Sequence, residues 1–420
     1  MSSVIGVEAT EREAWQAPDV TRVRVALAGC GAVGSALLRE IDARRDTLAG
    51  RHGIEVELTR VLVRDVSRQR DARFDTALLT SDVGEFLAAE ADVVIEAIGG
   101  FDPALRISQA TLSRSRKLIT ANKLLLAQHG TALTSLARAH ATTVRYDAAV
   151  GGGVPILRLL DEALGAGGPS SVRGILNGTA NFVLTRLENG ASLDEALDEA
   201  RCAGFAEADA SRDLDGRDAG DKIALVAWTA FGVAPEQLSV RRQSLLPEPD
   251  RYVALAGRIG RRVRQVAECT IVNGYVIASV EPLLVEAQSA LGRTADEGNH
   301  VEVFVGWRAP LCASGPGAGG LPTATALLSD LISANAAPRR TRSHHVALAD
   351  TRRFQWAVEI RGNASALHRA VPNCGLVHTT TDAGTSWTIV EAATPDDVSL
   401  IAGRLIGASP IVARCAESIL

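Results

Sequence analysis

Lysine is scarce in this chain: Lys117, Lys123 and Lys222 are the only three among 44 lysines and arginines. Where arginine supplies nearly all the surface charge, a retained lysine points to what a guanidinium lacks, a compact ammonium whose pKa can fall and whose proton can move. Lys123 and Lys222 lie in the motif-like stretches ITANKLL and GRDAGDKIAL, whereas Lys117 reads as an ordinary strand-end lysine. Asp218 stands four residues before Lys222, so on a helix the two share one face and the carboxylate can hold the ammonium in place. Glu207 and Asp213 precede that helix as free carboxylates suited to a substrate ammonium, although the solvated start of a helix has the same composition. Such a set is equipped for proton transfer.

The elements that must position these groups begin with VRVALA, residues 23–28, a short apolar run of strand type. It enters Gly29-Cys30-Gly31-Ala32-Val33-Gly34, and SALLREI follows with helical periodicity. This is GxGxxG between a strand and a helix. The first glycine permits the turn, the second lets a pyrophosphate approach the backbone, and the third allows strand and helix to pack closely. Further strands are expected over Glu55–Val63, Asp92–Ala97, Lys117–Thr120 and Thr143–Asp147, with helical stretches between them. The alternation implies an α/β unit, a Rossmann-type doubly wound parallel sheet over residues 21–150. Cofactors in such sheets lie outside the carboxyl ends of the strands, so Gly99, Asn122 and Lys123 should border the dinucleotide, with Lys123 toward the nicotinamide and Asn122 also capping the next helix. Arg64, at the end of the second strand, is a candidate for a 2′-phosphate, and pairing with Asp65 is its structural alternative; NADP is modestly preferred over NAD.

Two further stretches belong to a second, α+β unit over residues 151–322. YDAAVGGGVPI (146–156) couples the last strand to a three-glycine turn that suits a hinge, a close ligand approach or a carbonyl cage for a monovalent cation, hinge being favoured by residue types. In GILNGTANFVLTRL (174–187) a strand meets Asn177-Gly178-Thr179 and a helix opens with exposed N–H groups, a seat for an anion or simply a strand-to-helix turn.

Composition excludes several functions. Mass of 44.1 kDa and 46% apolar residues suit a multidomain globular protein, while a net charge of −5 gives no basic face for nucleic acid. The first twenty residues are polar and acidic, read as a disordered tail over 1–20, and no apolar run is long enough for a membrane span. Six scattered cysteines with no CxxC pair suit reduced thiols in a cytoplasmic protein; no zinc site is expected, and the histidines, His129, His300 and the His344-His345 pair among them, receive no role.

With TANK, YDAAVGGGVPI, GILNGTANF, FAEAD and GRDAGDK in order behind a Rossmann start, the chain resembles homoserine dehydrogenase over roughly residues 22–335. The stretch from Gly315 through Gly319 to Pro322-Thr-Ala-Thr also looks like that family's segment returning a helix, 323–337, to the nucleotide unit. The resemblance implies NAD(P)H-dependent reduction of L-aspartate 4-semialdehyde to L-homoserine in amino-acid biosynthesis (threonine, methionine), by a homodimer whose second unit carries substrate site and subunit sheet. It makes Lys123 and Lys222 the ionisable pair serving the reacting oxygen, with Asp218 supporting Lys222. Glu207 and Asp213 then bind the substrate ammonium, Asn177, Gly178 and Thr179 form the nicotinamide and substrate loop, and the carbonyls of Asp147, Val150, Gly152 and Val154 hold a sodium-type cation. The chain departs from the family pattern at Gly204-Phe205 for Gly-Tyr, NGTANF for NGTTNY, Asp147 for Glu and Ala210 for Pro. Lost hydroxyls near a polar substrate cost about 1–3 kcal/mol each. Two alternatives therefore stand: a reductase of another 2-amino aldehyde in a specialised pathway, and an inactive nucleotide-binding regulatory protein.

Residues 350–420 read as strand, helix, strand, strand, helix, strand, a βαββαβ ferredoxin-like pattern that resembles an ACT domain. Where such modules carry an acid-Arg-Pro-Gly turn, this one has Arg361-Gly362-Asn363-Ala364, so a structural or dimer-forming role is at least as well supported as effector binding.

Overall fold

The computed structural model describes residues 20–70, 74–165, 167–306, 309–334, 345–346, 350–361, 375–382, 385–405 and 410–416. The tail read over 1–20 lies outside them except for its last residue.

Strands β1 (Thr21–Ala28), β2 (Ile54–Leu62), β3 (Leu79–Thr80), β4 (Val93–Glu96), β5 (Lys117–Thr120) and β6 (Val144–Arg145) form one sheet in the order β3-β2-β1-β4-β5-β6. Every pair in it is parallel. A strand covered by helices on both faces needs an unbroken apolar run, and Val25 to Ala28 supply one, each at most 1% exposed. The order reverses between β1 and β4, which opens a crevice at their carboxyl ends. The last strand is shorter than the sequence suggests, because Asp147–Ala149 leaves it as a 3₁₀ turn.

The second sheet is mixed and eleven-stranded. Its members are β7 (Ser171–Ile175), β8 (Val240–Arg242), β9 (Arg261–Val272), β10 (Tyr275–Glu286), β11 (Gly298–Phe304), β12 (Leu311–Pro316), β13 (His345–Val346), β14 (Phe354–Arg361), β15 (Gly375–Asp382), β16 (Thr385–Ala393) and β17 (Ile411–Cys415). They run β12-β11-β7-β9-β10-β17-β14-β16-β15, with β8 and β13 beside β10. Alternate residues on one face, among them Val172, Ala267, Val280, Val301 and Val303, pack against the helices Ile156–Gly165 and Arg217–Phe231 in one core.

The last four strands lie antiparallel in the order fourth-first-third-second, the arrangement of a ferredoxin-like sheet. Its first helix, expected over ASALHRAV, falls outside the described residues; the second is Pro395–Arg404. This C-terminal part does not stand apart, since β17 pairs with β10 and continues the central sheet.

The helix Gly320–Ser333 begins three residues earlier than the sequence suggests, and residues 335–337 lie outside the description. Its Ala324, Leu327, Leu328 and Leu331 join Val25, Leu27 and Leu37 in the core of the parallel sheet. No helix among the described residues is long and apolar enough to cross a membrane.

Candidate active site

The glycine loop shows why its residue types are needed. A Cβ on Gly34 would stand 2.1 Å from the Gly29 carbonyl oxygen, and one on Gly29, at φ +100°, 2.6 Å from that of Ala97. Gly31, by contrast, has nothing within 4 Å of an added Cβ, so the backbone there is open to a ligand. Gly31 also caps the helix Ala32–Ala43 without any side-chain hydrogen bond, which leaves the helix's first N–H groups for a pyrophosphate. These features fit a dinucleotide. A cleft of about 330 Å³ follows, bordered by Val33, Gly99, Gly319, Lys123 and Lys222.

Lys123 opens the helix Lys123–Ala139 and Lys222 sits in the second turn of Arg217–Phe231. The two ammonium groups meet one carboxylate: Lys123 Nζ is 2.8 Å from Asp218 Oδ1 and Lys222 Nζ 2.9 Å from Asp218 Oδ2. Lys222 also donates to the Leu176 carbonyl at 2.8 Å. Burial pushes the Asp218 carboxyl upward, but Lys222 and Lys123 outweigh it and hold the group far below its usual range. Burial likewise pulls Lys123 down, yet the charge and hydrogen bond of Asp218 leave its pKa above the ordinary value. The expectation of a lysine with a lowered pKa is thus reversed at Lys123, because the carboxylate stabilises the charged form.

Asn177 organises the acids. Its Oδ1 accepts from Ala180 N at 2.7 Å, capping the helix Gly178–Glu188, while its Nδ2 donates to Asp213 Oδ1 at 2.7 Å and to Asp218 Oδ2 at 2.8 Å. Asp213 is therefore not the free carboxylate read from the sequence. Burial raises its pKa, and the Asn177 hydrogen bond only partly offsets this. Glu207 is exposed on the loop after the helix Leu193–Cys202 and makes no hydrogen bond or ion pair with the cluster among the described residues. Thr179 is buried and donates to the Phe205 carbonyl at 2.6 Å, so its hydroxyl tethers the acidic loop. Gly178 packs against the Glu297 carbonyl, 2.7 Å from where a Cβ would stand.

Asn122 caps Lys123's helix as the sequence suggests, accepting from Leu125 N at 3.1 Å, and its Nδ2 donates to the Gly100 carbonyl at 2.7 Å. Both ends of the amide are thereby engaged within the protein. Asp65 accepts from Ser67 N and Oγ at 2.8 and 2.7 Å and forms no ion pair with exposed Arg64 among the described residues. In the three-glycine turn the Asp147 carbonyl accepts from Val150 N and Gly151 N and the Val154 carbonyl from Ile156 N, so two of the four carbonyls expected to hold a cation, with Val150 and Gly152, already serve the turn itself.

One group escaped the sequence reading. Glu96, fully buried at the end of β4, accepts from Ile98 N at 2.8 Å, Gly99 N at 3.2 Å and Thr120 Oγ1 at 2.6 Å. Thr120 Oγ1 in turn accepts from Asn122 N at 3.0 Å. A single carboxylate thus joins the Gly99 wall of the cleft to the helix start that carries Lys123. The available signal was a charge closing the apolar run DVVIEA.

A parallel dinucleotide sheet whose open helix N-terminus faces a two-lysine, one-carboxylate cluster defines an NAD(P)-dependent oxidoreductase. Family models agree: "Homoserine dehydrogenase, NAD binding domain" matches residues 29–147 and "Homoserine dehydrogenase" residues 155–332. Homoserine dehydrogenase of Bacillus subtilis is 33% identical over 313 residues, covering 74% of this chain and 72% of that one. The crystal structure of the Staphylococcus aureus enzyme is similar over 95% of this chain and 100% of that chain, with a TM-score of 0.74 at 25% identity. The fold is also that of a homoserine dehydrogenase from Thiobacillus denitrificans, with a TM-score of 0.83 over 95% of this chain and 99% of that one at 24% identity. The chain belongs to the homoserine dehydrogenase family, and neither alternative reading is favoured by these relatives.

Proposed function

We propose that this chain reduces L-aspartate 4-semialdehyde to L-homoserine in the cleft between the glycine loop and the lysine pair, with NADPH preferred over NADH. The observation that carries the reading is that Lys123 and Lys222, from helices 94 residues apart at their starts (123 and 217), share the Asp218 carboxylate at 2.8 and 2.9 Å in the cleft bordered by Val33 and Gly99. NAD(P)H bound on the glycine loop supplies the hydride. Lys222, fixed between Asp218 and the Leu176 carbonyl, presents its ammonium to the aldehyde oxygen and directs the proton that the alkoxide must receive. Lys123 balances the same carboxylate, so that displacement of one ammonium toward substrate leaves Asp218 still paired. Asp213, oriented by Asn177, receives the substrate ammonium, and Glu207 joins it from the loop tethered at Phe205. Arg64, with Asp65 turned to Ser67, is available to a 2′-phosphate.

The test is NADPH oxidation measured with L-aspartate 4-semialdehyde and with longer 2-amino aldehydes. The four-carbon substrate should give the highest kcat/KM, and a longer aldehyde turning over faster would overturn the substrate assignment. Arg64→Ala should raise KM for NADPH about tenfold, the scale of one charge-assisted contact, and leave NADH kinetics unchanged. An equal effect on both cofactors would remove Arg64 from the 2′-phosphate site.

A further inference from the structure

Away from the cleft, the hairpin at the edge of the mixed sheet brings together three side chains that the function above does not use. His300 and Glu302 lie two apart on β11, and Cys312 stands directly across from Glu302 on the edge strand β12. One donor atom from each lies within 4.8 Å of the others.

His300 is 3% exposed, and its two nitrogens are in different situations. Nδ1 is 2.6 Å from Ser314 Oγ, the residue opposite it on β12. Nε2 is buried with no hydrogen-bond partner, yet faces Glu302 Oε1 at 3.5 Å. When Nδ1–H donates to Ser314, the Nε2 lone pair points at a carboxylate oxygen, and two acceptors confront each other. In that tautomer a cation between them would satisfy both, whereas the other tautomer turns an Nε2–H toward Glu302. A metal bound about 2.0–2.1 Å from nitrogen and 2.0–2.2 Å from oxygen in tetrahedral geometry holds those atoms roughly 3.4 Å apart. The observed separation is that span.

The surroundings fit the same reading. Arg173 Nε takes Glu302 Oε2 at 2.6 Å while its guanidinium lies over the Phe304 ring, 5.2 Å from the centroid, so the carboxylate is fixed with Oε1 turned to the imidazole. A ligating histidine characteristically donates its other N–H to a fixed acceptor, here Ser314. Cys312 is exposed, with its thiol 3.7 Å from the Pro310 carbonyl; as a ligand it would leave that contact and give its proton to solvent as the metal–sulfur bond forms.

We propose that His300 Nε2, Glu302 Oε1 and Cys312 Sγ form a binding site for a divalent transition metal of zinc or cobalt type, with the fourth position open to water. This reverses the expectation that the chain has no zinc site. Spacing rules look for ligands close along the chain, whereas these converge through strand pairing.

The full-length protein, treated with chelator and titrated with Co²⁺, should bind one equivalent, showing a thiolate-to-cobalt charge-transfer band in the near ultraviolet and intense visible bands of tetrahedral cobalt that Zn²⁺ displaces. Cys312→Ser, at an exposed edge position, should lose the charge-transfer band, and His300→Ala should lose tight binding. Ser314→Ala, which removes only the Nδ1 acceptor, should weaken binding about 10–100-fold. All three variants should keep near-wild-type NADPH turnover, since none of these residues borders the cleft; circular dichroism melting reports whether each is folded. A charge-transfer band that survives in Cys312→Ser, as exposed Cys202 would produce, overturns the proposal. So does the absence of Co²⁺ binding by the folded, chelator-treated protein.

Discussion

Asp218 and Glu268 are buried carboxylates that each sit between two cations, and the cations differ. Asp218 lies between Lys123 and Lys222 in the cleft. Glu268, on β9, lies between Arg352 and Arg414, both at 2.7 Å, where the C-terminal strands join the central sheet. Arg414 reaches on to Glu281 at 3.0 Å and Arg352 to Asp350 at 2.9 Å, and both guanidiniums stand over the Phe354 ring. Planar forks with several donors, stacked on a ring, lock several chain segments together and never give up a proton. The lysine pair has neither fork nor stack; each ammonium is a point charge on a flexible stem and can turn toward a substrate oxygen. Two of the chain's three lysines stand where that second behaviour is available.

The sharpest test of this contrast is exchange at Lys222. Lys222→Ala should lower kcat by about 10²–10⁴-fold while the folded protein still binds NADPH by fluorescence, and Lys222→Arg should not restore it. Recovery in the arginine variant would show that charge alone suffices. At the other carboxylate, Glu268→Gln leaves two buried guanidiniums short of their counter-charge and should cost about 3–5 kcal/mol in denaturant unfolding, with turnover near wild type at low temperature.

The same site predicts a pH dependence. Burial raises Glu268, but Arg414 and Arg352 outweigh it and bring its folded pKa to about 2, below the ordinary 4.5. The native state therefore binds fewer protons than the unfolded chain in that interval. The contribution is whole above pH 4.5 and is lost as pH falls toward 2, and a wild-type melting curve that steepens there should flatten in Glu268→Gln.

Asp218→Asn should act on rate and pH together. Without the carboxylate that raises it, Lys123 should lose its proton at lower pH, read by NMR titration of its Nζ, while loss of the partner that orients Lys222 lowers kcat. An unmoved Lys123 titration would show that Asp218 does not set its charge. Glu96→Gln makes a smaller change: the new amide N–H meets a Thr120 hydroxyl that already accepts from Asn122, and the hydroxyl loses its own acceptor. A roughly tenfold fall in kcat with little change in melting temperature is expected, on the scale of one disturbed buried hydrogen bond.

The parallel sheet was legible because each of its parts is local: an apolar run, a glycine turn at fixed spacing and a helical period follow one another along the chain. The pairing of Lys222 with Asp218 was legible for the same reason, four residues on one helix face. What escaped depends on contacts between distant segments. Asn177 reads as part of an anion seat or a strand-to-helix turn, and only the fold brings its amide between Asp213 and Asp218. Thr179 reads as a ligand-facing hydroxyl, and only the fold spends it on Phe205. The direction of the Lys123 shift depends on a carboxylate 95 positions away, and the attachment of β17 to β10 on pairing across more than a hundred residues.

The helix Gly320–Ser333 carries one further consequence. The parallel sheet has its strands complete by Arg145, yet Ala324, Leu327 and Leu331 are part of the core that covers Val25 and Leu27. During synthesis the opening third of the polypeptide thus leaves the ribosome with an apolar face uncovered, and that face waits until nearly two hundred more residues have emerged. Docking of so remote a segment raises contact order and exposes the nascent chain to aggregation in the interval, so the nucleotide unit completes its packing only after that segment has emerged.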